Sequence, residues 1–356
     1  MNRLSVGTLR PEEFAEWGEF VGRSPDGSVY AEAGYLEALA AVTGASFRIV
    51  GVRRAGQLVG GVGLYETRSP LRGRHAGPRL LLHYHGPLFA PYDGSYPSKK
   101  TADDLEIQAA LLDYLASLRL DSIILKSRST VRDVRAYLAR GWRAHPSYTY
   151  VVPLTDLKEQ WQRVEGNLRR LIKRCSEVDG LRFTDDADFD SFFRLHSLAL
   201  GRRSIPPYLP QSAFRHFIQQ VLAAGIARLQ HARLPNGAAI ASQLVLLGKH
   251  RVSHTVCAGM DPDYSRLGAS AFLRWRGFEA LAALGYQAND LTDAALNSVT
   301  HFKSQFGGSL ESMLVLEAPH SRRRRAGQTI ERALRLPRSM GGWLIRRVFG
   351  RVEDHD

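Results

Sequence analysis

The stretch "THFKSQFGG", Thr300 to Gly308, sets Lys303 between two phenylalanines and ends in a glycine pair. A lysine so placed can meet the negative charge of a substrate, or it can sit on the outside of an ordinary helix end. Ten residues upstream, Asp290 and Asp293 flank Leu291 and Thr292 at the end of an apolar run. A carboxylate there can accept a proton or cap the helix that follows. His254 alternates with Val252 and Val256, so its side chain faces either the core or a cleft. Tyr264, in "MDPDYSRLG", carries a hydroxyl able to donate to an acceptor or a leaving group. Arg202 and Arg203 close the segment "FFRLHSLALGRR". Their guanidinium forks suit a carboxylate or a phosphate, although cations also favour a helix C-terminus. His196 shares a helical face with Phe192 and Ala199, the setting of a packed histidine rather than a general base. In "LRRLIKR", Arg170 and Arg174 lie one turn apart and could track a phosphodiester, a lipid-linked pyrophosphate, or only solvent. Proton transfer and the holding of an anion are the chemistry these groups have in common.

Two similar successions of elements would position them. In the first, "FRIVGVRRAGQLVGGVGLYETRS" alternates apolar residues on either side of a turn at Arg54–Gly56 and predicts two strands. The spacing of Leu105, Ala109, Leu112 and Leu115 predicts a helix, with Asp103 and Asp104 near its positive end. A strand "DSIILKS", a helix "VRDVRAYLARGW" stopped by Gly141 and a strand "YTYVVPL" follow. In the second succession, three strands run from Gly225 to Met260, with turns at Pro235–Gly237 and Gly248–His250. Next come a helix ending at Gly285, a strand "YQANDLTD", a helix opened by Asn297 or Ser298, and a strand "LESMLVLE". Meander, helix, strand, helix, strand describes an acyl-CoA N-acyltransferase (GNAT-like) half. The fold expected is therefore α/β, with two GNAT-like domains in tandem, their mixed central sheets flanked by helices. The domains are residues 1–155 and 156–318, joined by an amphipathic basic helix, "DLKEQWQRVEGNLRRLIKRCSEVDG", and followed by a basic tail, 319–356.

Composition narrows the class. The chain has 356 residues, 44% hydrophobic and 23% charged, the balance of a globular protein. No apolar run approaches the roughly 18 residues of a membrane span, and the N-terminus lacks a signal-peptide core. Two distant cysteines argue against a disulfide scaffold or a cysteine zinc site and fit a reducing compartment, so a cytoplasmic location is expected. The close pair His83 and His85 has no carboxylate at ligand spacing, which disfavours a metal. His85 is either a substrate-binding group or a satisfied polar group at a strand end. The net charge of +13 is uneven: from Ala318 onward ten arginines face four acidic residues. Such a tail attracts nucleic acid or an anionic membrane surface, or is simply solvated.

Several stretches together carry a resemblance: "WGEFVGRSPDGSVYAEAGYLEAL", "HGPLFAPY", the "LRRLIKR" helix, "FFRLHSLALGRR" and "DLTD…HFKSQFGG". Over about residues 10–317 the sequence resembles the Fem family of peptidoglycan aminoacyltransferases. It is still more similar to their bacterial relatives, the BioF-like and CelD-like acyltransferases of envelope polysaccharide loci. The resemblance implies transfer of an acyl or aminoacyl group to an amine of a cell-envelope precursor, polysaccharide or amino sugar. The donor would be acyl-CoA or aminoacyl-tRNA, with no tightly bound cofactor. It further implies that Lys303 occupies the family's F-K-x-x-F-G-G segment, that a basic residue near Arg203 holds substrate, and that an acidic residue follows the Gly-Pro turn. Asp93 is the nearest here, farther from Gly86–Pro87 than the family places it. The acyl-CoA phosphate loop of GNAT enzymes matches "DYSRLGASAFL". Arg266, Gly268 and Ala269 would bind the donor there, with Ser265 and Ser270 in place of the outer signature residues. Two alternatives remain: an acyl-CoA-dependent N-acyltransferase of a sugar or small amine, and a basic nucleic-acid or membrane-surface binder without catalysis.

Overall fold

A computed structural model describes residues 3–70, 73–79, 81–319 and 321. The basic stretches "SRRRRAG" and "GGWLIRRVFGR" therefore lie outside the described residues, and with them the membrane-surface reading of the tail, apart from Ser321. No helix among the described residues is long and apolar enough to cross a membrane.

The first half opens with β1 (Leu4–Thr8), α1 (Phe14–Arg23) and α2 (Ala33–Thr43). The meander is β2 (Ser46–Arg54), β3 (Gln57–Ser69), β4 (Gly73–Ala76) and the short β5 (Leu88–Phe89). Ala55 and Gly56 turn β2 into β3 with φ of 51° and 82°, the left-handed pair a tight hairpin uses. Then come α3 (Pro97–Ser117), β6 (Ser122–Lys126), α4 (Arg135–Leu138) and β7 (Arg143–Pro153). The second half has α5 (Leu157–Arg163), α6 (Gly166–Glu177), β8 (Arg182–Asp185), α7 (Phe189–Gly201) and α8 (Gln211–Ala223). Its meander is β9 (Ala227–Arg233), β10 (Ala239–Leu246) and β11 (Val252–Met260), after which come α9 (Ala269–Ala283), β12 (Ala288–Asp290), α10 (Ser298–Ser304) and β13 (Ser309–Glu317).

The expected order of elements is present, with three local departures. The basic linking segment is two helices, because Val164 (ψ 135°) and Glu165 (ψ 140°) leave the helical region between α5 and α6. The helix expected up to Gly141 is a single turn, Arg135–Leu138. Finally, α3 starts with Pro97 at its first position, so Asp103 and Asp104 lie beyond the first turn. Asp103 binds Arg54 and Lys99 there, and Asp104 binds Lys100.

The strands join in one sheet in the order β1-β2-β3-β4-β6-β13-β7-β12-β11-β10-β9-β8, with β5 beside β3. The last strand of each half is exchanged. β13 pairs antiparallel with β6, Val315 opposite Lys126, and along its whole length with β7, from Ser309 opposite Val151 to Glu317 opposite Arg143. β7 in turn borders β12 of the second half, with Asp290 opposite Val151. The strands follow period-two alternation. Ile49 packs into a core shared by both halves, with Trp17, Tyr35, Phe192, Phe217 and Leu244, while Val50 and Val52 face α3 and Tyr137. On the second half's outer face, Phe306 packs with Phe278, Val152 and Trp275.

The glycine pair before β13 is fixed by space. Gly307 has φ of 69°, and a Cβ there would lie 2.5 Å from Arg163 Cβ and 2.7 Å from its carbonyl oxygen. Gly307→Ala is expected to lower stability by about 1–3 kcal/mol, read as a lower urea midpoint. An unchanged midpoint would mean that this approach is not tight.

Candidate active site

β11 and β12 pair in parallel only from Val252↔Ala288 to His254↔Asp290. β12 then ends, while β11 continues to Met260. The strands part, and a cleft of ≈ 350 Å³ opens beside the free stretch of β11. Its walls are Thr255–Met260, the end of α7, the first turns of α9, the loop Leu291–Asp293 and α10. All lining residues fall between His196 and Lys303, in the second half.

The loop after β12 has a glycine-type backbone without glycine. Thr292 and Asp293 have φ of 45° and 58°, a left-handed conformation costing about 1–2 kcal/mol per residue and most unusual for a β-branched side chain. Five hydrogen bonds oppose that strain. Asp290 Oδ1 accepts from the Thr292 amide at 2.8 Å, and the Thr292 hydroxyl donates to Thr255 O at 2.8 Å. The Asp293 amide approaches His83 Nε2 at 3.4 Å. Lys303 Nζ donates to the carbonyls of both strained residues, at 2.6 Å for Asp293 and closer still for Thr292.

Lys303 lines the cleft from α10, a helix opened by Asn297, whose side chain accepts from the amides of Val299 and Thr300 at 3.0 Å each. Phe306 is fully buried behind it, edge-on to Phe302 at 5.2 Å, and Phe302 itself reaches the cleft wall. Burial, and after it the positive charge of Arg274, pulls the Lys303 ammonium down to about 8, against the opposing pull of Asp293 and Asp290. An ammonium has three donors, so two bonds to the loop leave one for a ligand oxygen.

Among the described residues, the charged ones on the cleft walls are Arg202, Arg203, Arg274, Lys303 and a single acid, Asp293. Tyr208 lies edge-on to His196 at 5.0 Å, and burial raises its hydroxyl to about 12. His196 stacks on Phe192 at 5.6 Å, and burial lowers it to about 4, so it lines the cleft as neutral imidazole.

Asp290 and His254 do not line the cleft; both are fully buried beneath it. Asp290 accepts from Tyr84 Oη and Thr149 Oγ1, both at 2.5 Å, besides the Thr292 amide. Burial alone would raise its carboxyl. The neighbouring histidines and these hydroxyls outweigh that and hold it below the ordinary value. Geometry thus gives Asp290 the task of positioning the loop rather than taking a substrate proton. His254 Nδ1 lies 3.7 Å from Asp290, between the rings of Tyr30 and Tyr84, and burial holds it neutral at about 4.

The other expected groups lie elsewhere. Tyr264 is half-buried on a 3-10 turn, packed against the Phe272 cluster, and Arg266 is exposed on the same turn. Gly268 opens α9 with φ of 78°, Leu171 of α6 rests against it, and Ala269 is fully buried, so neither lines the cleft, although Ser270 of the same stretch does. His85 ties strands together, accepting from the Tyr65 amide at 2.9 Å and facing Ile124 O at 3.1 Å. It is the satisfied polar group, held neutral at about 4 chiefly by burial. Asp93, Arg170 and Arg174 are exposed and away from the cleft; Arg170 binds Asn167, and Arg174 lies 3.5 Å from Asp179. Arg274 escaped the sequence reading because it sits in an apolar helix. Its spacing from Ala271, Phe278 and Leu281 marks the buried face.

The family description "Acetyltransferase (GNAT) domain" matches residues 162–304, the span that builds the cleft. A comparison with curated proteins gives no match. Among solved structures, FemX superposes with a TM-score of 0.70 at 12% identity, over 87% of this chain and 96% of that one. A C-terminal domain assigned to a lysylphosphatidylglycerol synthetase from Agrobacterium fabrum gives 0.57 at 13%, over 90% and 96%. A tandem GNAT protein from the clavulanic acid biosynthesis pathway gives 0.52 at 11%, over 90% and 100%. Residues 162–304 thus match a GNAT acetyltransferase domain, and the fold of the chain is similar to those of FemX and of a tandem GNAT protein.

Proposed function

We propose that the cleft transfers an aminoacyl or acyl group from an activated ester to an amine on a cell-envelope precursor. The observation that carries this reading is Lys303, which lines the cleft while two loop carbonyls anchor its ammonium. Attack of the amine nitrogen on the ester carbonyl forms the C–N bond and places negative charge on the carbonyl oxygen. Lys303 Nζ–H donates to that oxygen. Collapse breaks the bond to the leaving alcohol or thiol, which departs with a proton, while the nitrogen loses one. Asp293 is the carboxylate on the cleft wall positioned to accept it. Aminoacyl-tRNA is the favoured donor for two reasons. The fold is shared with FemX and with a domain named for lysylphosphatidylglycerol synthesis. In addition, Arg266, Gly268 and Ala269 of the matched acyl-CoA loop lie off the cleft, and only Ser270 of that loop reaches it. Acyl-CoA with a sugar or small-molecule amine is the second reading, supported by the acetyltransferase match.

The test offers purified protein either aminoacyl-tRNA or acetyl-CoA, at low salt because phosphate contacts weaken steeply with salt. The acceptors are a peptidoglycan peptide amine and an amino sugar, and amide product is followed by mass. Product from aminoacyl-tRNA is expected. Product from acetyl-CoA alone selects the second reading, and binding of neither donor removes both.

A further inference from the structure

Arg274 has no evident structural reason for its position. It is 8% exposed on α9, and its Nη1 has no hydrogen-bond partner. No acid of the described residues forms an ion pair with it, and burial alone acts on its charge, drawing it down to about 10. A buried guanidinium without a counter-charge is costly unless something else supplies the anion. The side chain lines the cleft, and its positive charge disfavours protonation of Lys303, as does that of Arg203. Three of the cations on its walls thus converge on one space, and among the described residues Asp293 is the only acid there. Mutual repulsion among them would be relieved by an oxyanion in their midst.

We propose that Arg274 and Arg203, beside Lys303, form a subsite for a carboxylate or phosphate carried by a substrate small enough for the cleft. Arg274 is the deep anchor, where the planar fork can take two oxygens of one group. Arg203, exposed at the end of α7, guards the rim. Leu273 and Phe302 add apolar wall beside it, so the ligand presents an anionic end and an apolar body. The subsite rests on the acyl-transfer reading only in assigning the anion to a substrate of that reaction.

The test is titration of the full chain with inorganic phosphate and, separately, with succinate, at constant ionic strength, followed by calorimetry and thermal unfolding. Saturable binding of one of the two is expected, weakened about tenfold or more in Arg274→Met and partly retained in Arg274→Lys. Phosphate binding assigns a phosphorylated substrate, and succinate binding a carboxylate one. In buffer without either anion, Arg274→Met is expected to unfold at the same temperature as the parent or higher, since an unpaired buried charge has been removed. Failure of both anions to bind, equal binding by Arg274→Met, or a lower unfolding temperature for that variant overturns the proposal. The last result would make the arginine a structural group, as would failure of the variant to fold. Anion binding in a protein that transfers nothing leaves the subsite standing and removes the acyl-transfer reading; transfer without anion binding does the reverse.

Discussion

Lys303→Met is expected to lower the rate of acyl transfer about 10²–10³-fold, the usual effect of losing one oxyanion donor. Methionine keeps the length and the apolar stem of lysine but cannot donate. The same substitution frees the carbonyls of Thr292 and Asp293, so part of the loss could come from a relaxed loop. The pH profile separates the two causes. With the ammonium held at about 8 by burial and by Arg274, the active, protonated form is complete below that pH. It is lost as pH rises through it, whereas a solvated lysine would hold its proton until about 10.4. Initial rates between pH 6 and 10 should fall along this limb in the parent protein, and the limb should be missing from Lys303→Met. A loss under threefold, or an unaltered profile in the variant, would remove Lys303 from the chemistry.

Asp290→Ala is expected to cost about 3–5 kcal/mol of stability, because one acceptor serves three buried donors that then have none. Tyr84→Phe removes a single donor and should cost about 1–2 kcal/mol. Urea unfolding of the two variants checks both values, and an Asp290→Ala cost below that of Tyr84→Phe would show that the carboxylate is not the hub. The direction with pH follows from the lowered carboxyl. An acid whose folded value is depressed stabilises the fold above its unfolded value, about 3.9, and that contribution disappears as pH falls through the folded value. Asp290→Asn should therefore be less sensitive to acid than the parent in the range below pH 4. Since Tyr84 belongs to the first half and Asp290 to the second, the Tyr84 variant also tests whether the first half helps set the cleft loop.

The sequence made local features legible. Alternation of Val50 and Val52, the turns at Gly56 and Gly237, and the Asn297 cap act over a few residues, and each is found where expected. The strand exchange was not legible, because pairing Lys126 with Val315 or Arg143 with Glu317 spans well over a hundred residues and leaves no mark in local periodicity. In the site, an aromatic-flanked lysine near a helix end was visible, as were two arginines at another helix end. Which aspartate meets the cleft was not visible: Asp290 and Asp293 differ in sequence by three positions but in space by the floor of the cleft. The loop after Asp290 carries no glycine. Thr292 and Asp293 nevertheless adopt the left-handed conformation, because Lys303, Asp290 and Thr255 hold it from three sides. That compensation is tertiary, so no short window could reveal it.

The exchange of β7 and β13 also bears on how such a chain assembles. Each half, taken by itself, has a sheet with an open edge, at β6 in one and β12 in the other, and the strand that fits each edge is tethered to the opposite half. Two separate molecules could satisfy the same pairings only by swapping strands as partners, at a strength set by their abundance. Covalent linkage replaces that dependence with a fixed local concentration, on the order of millimolar for a short tether. The cleft strand β12 is thereby flanked on one side by a strand that dilution cannot remove.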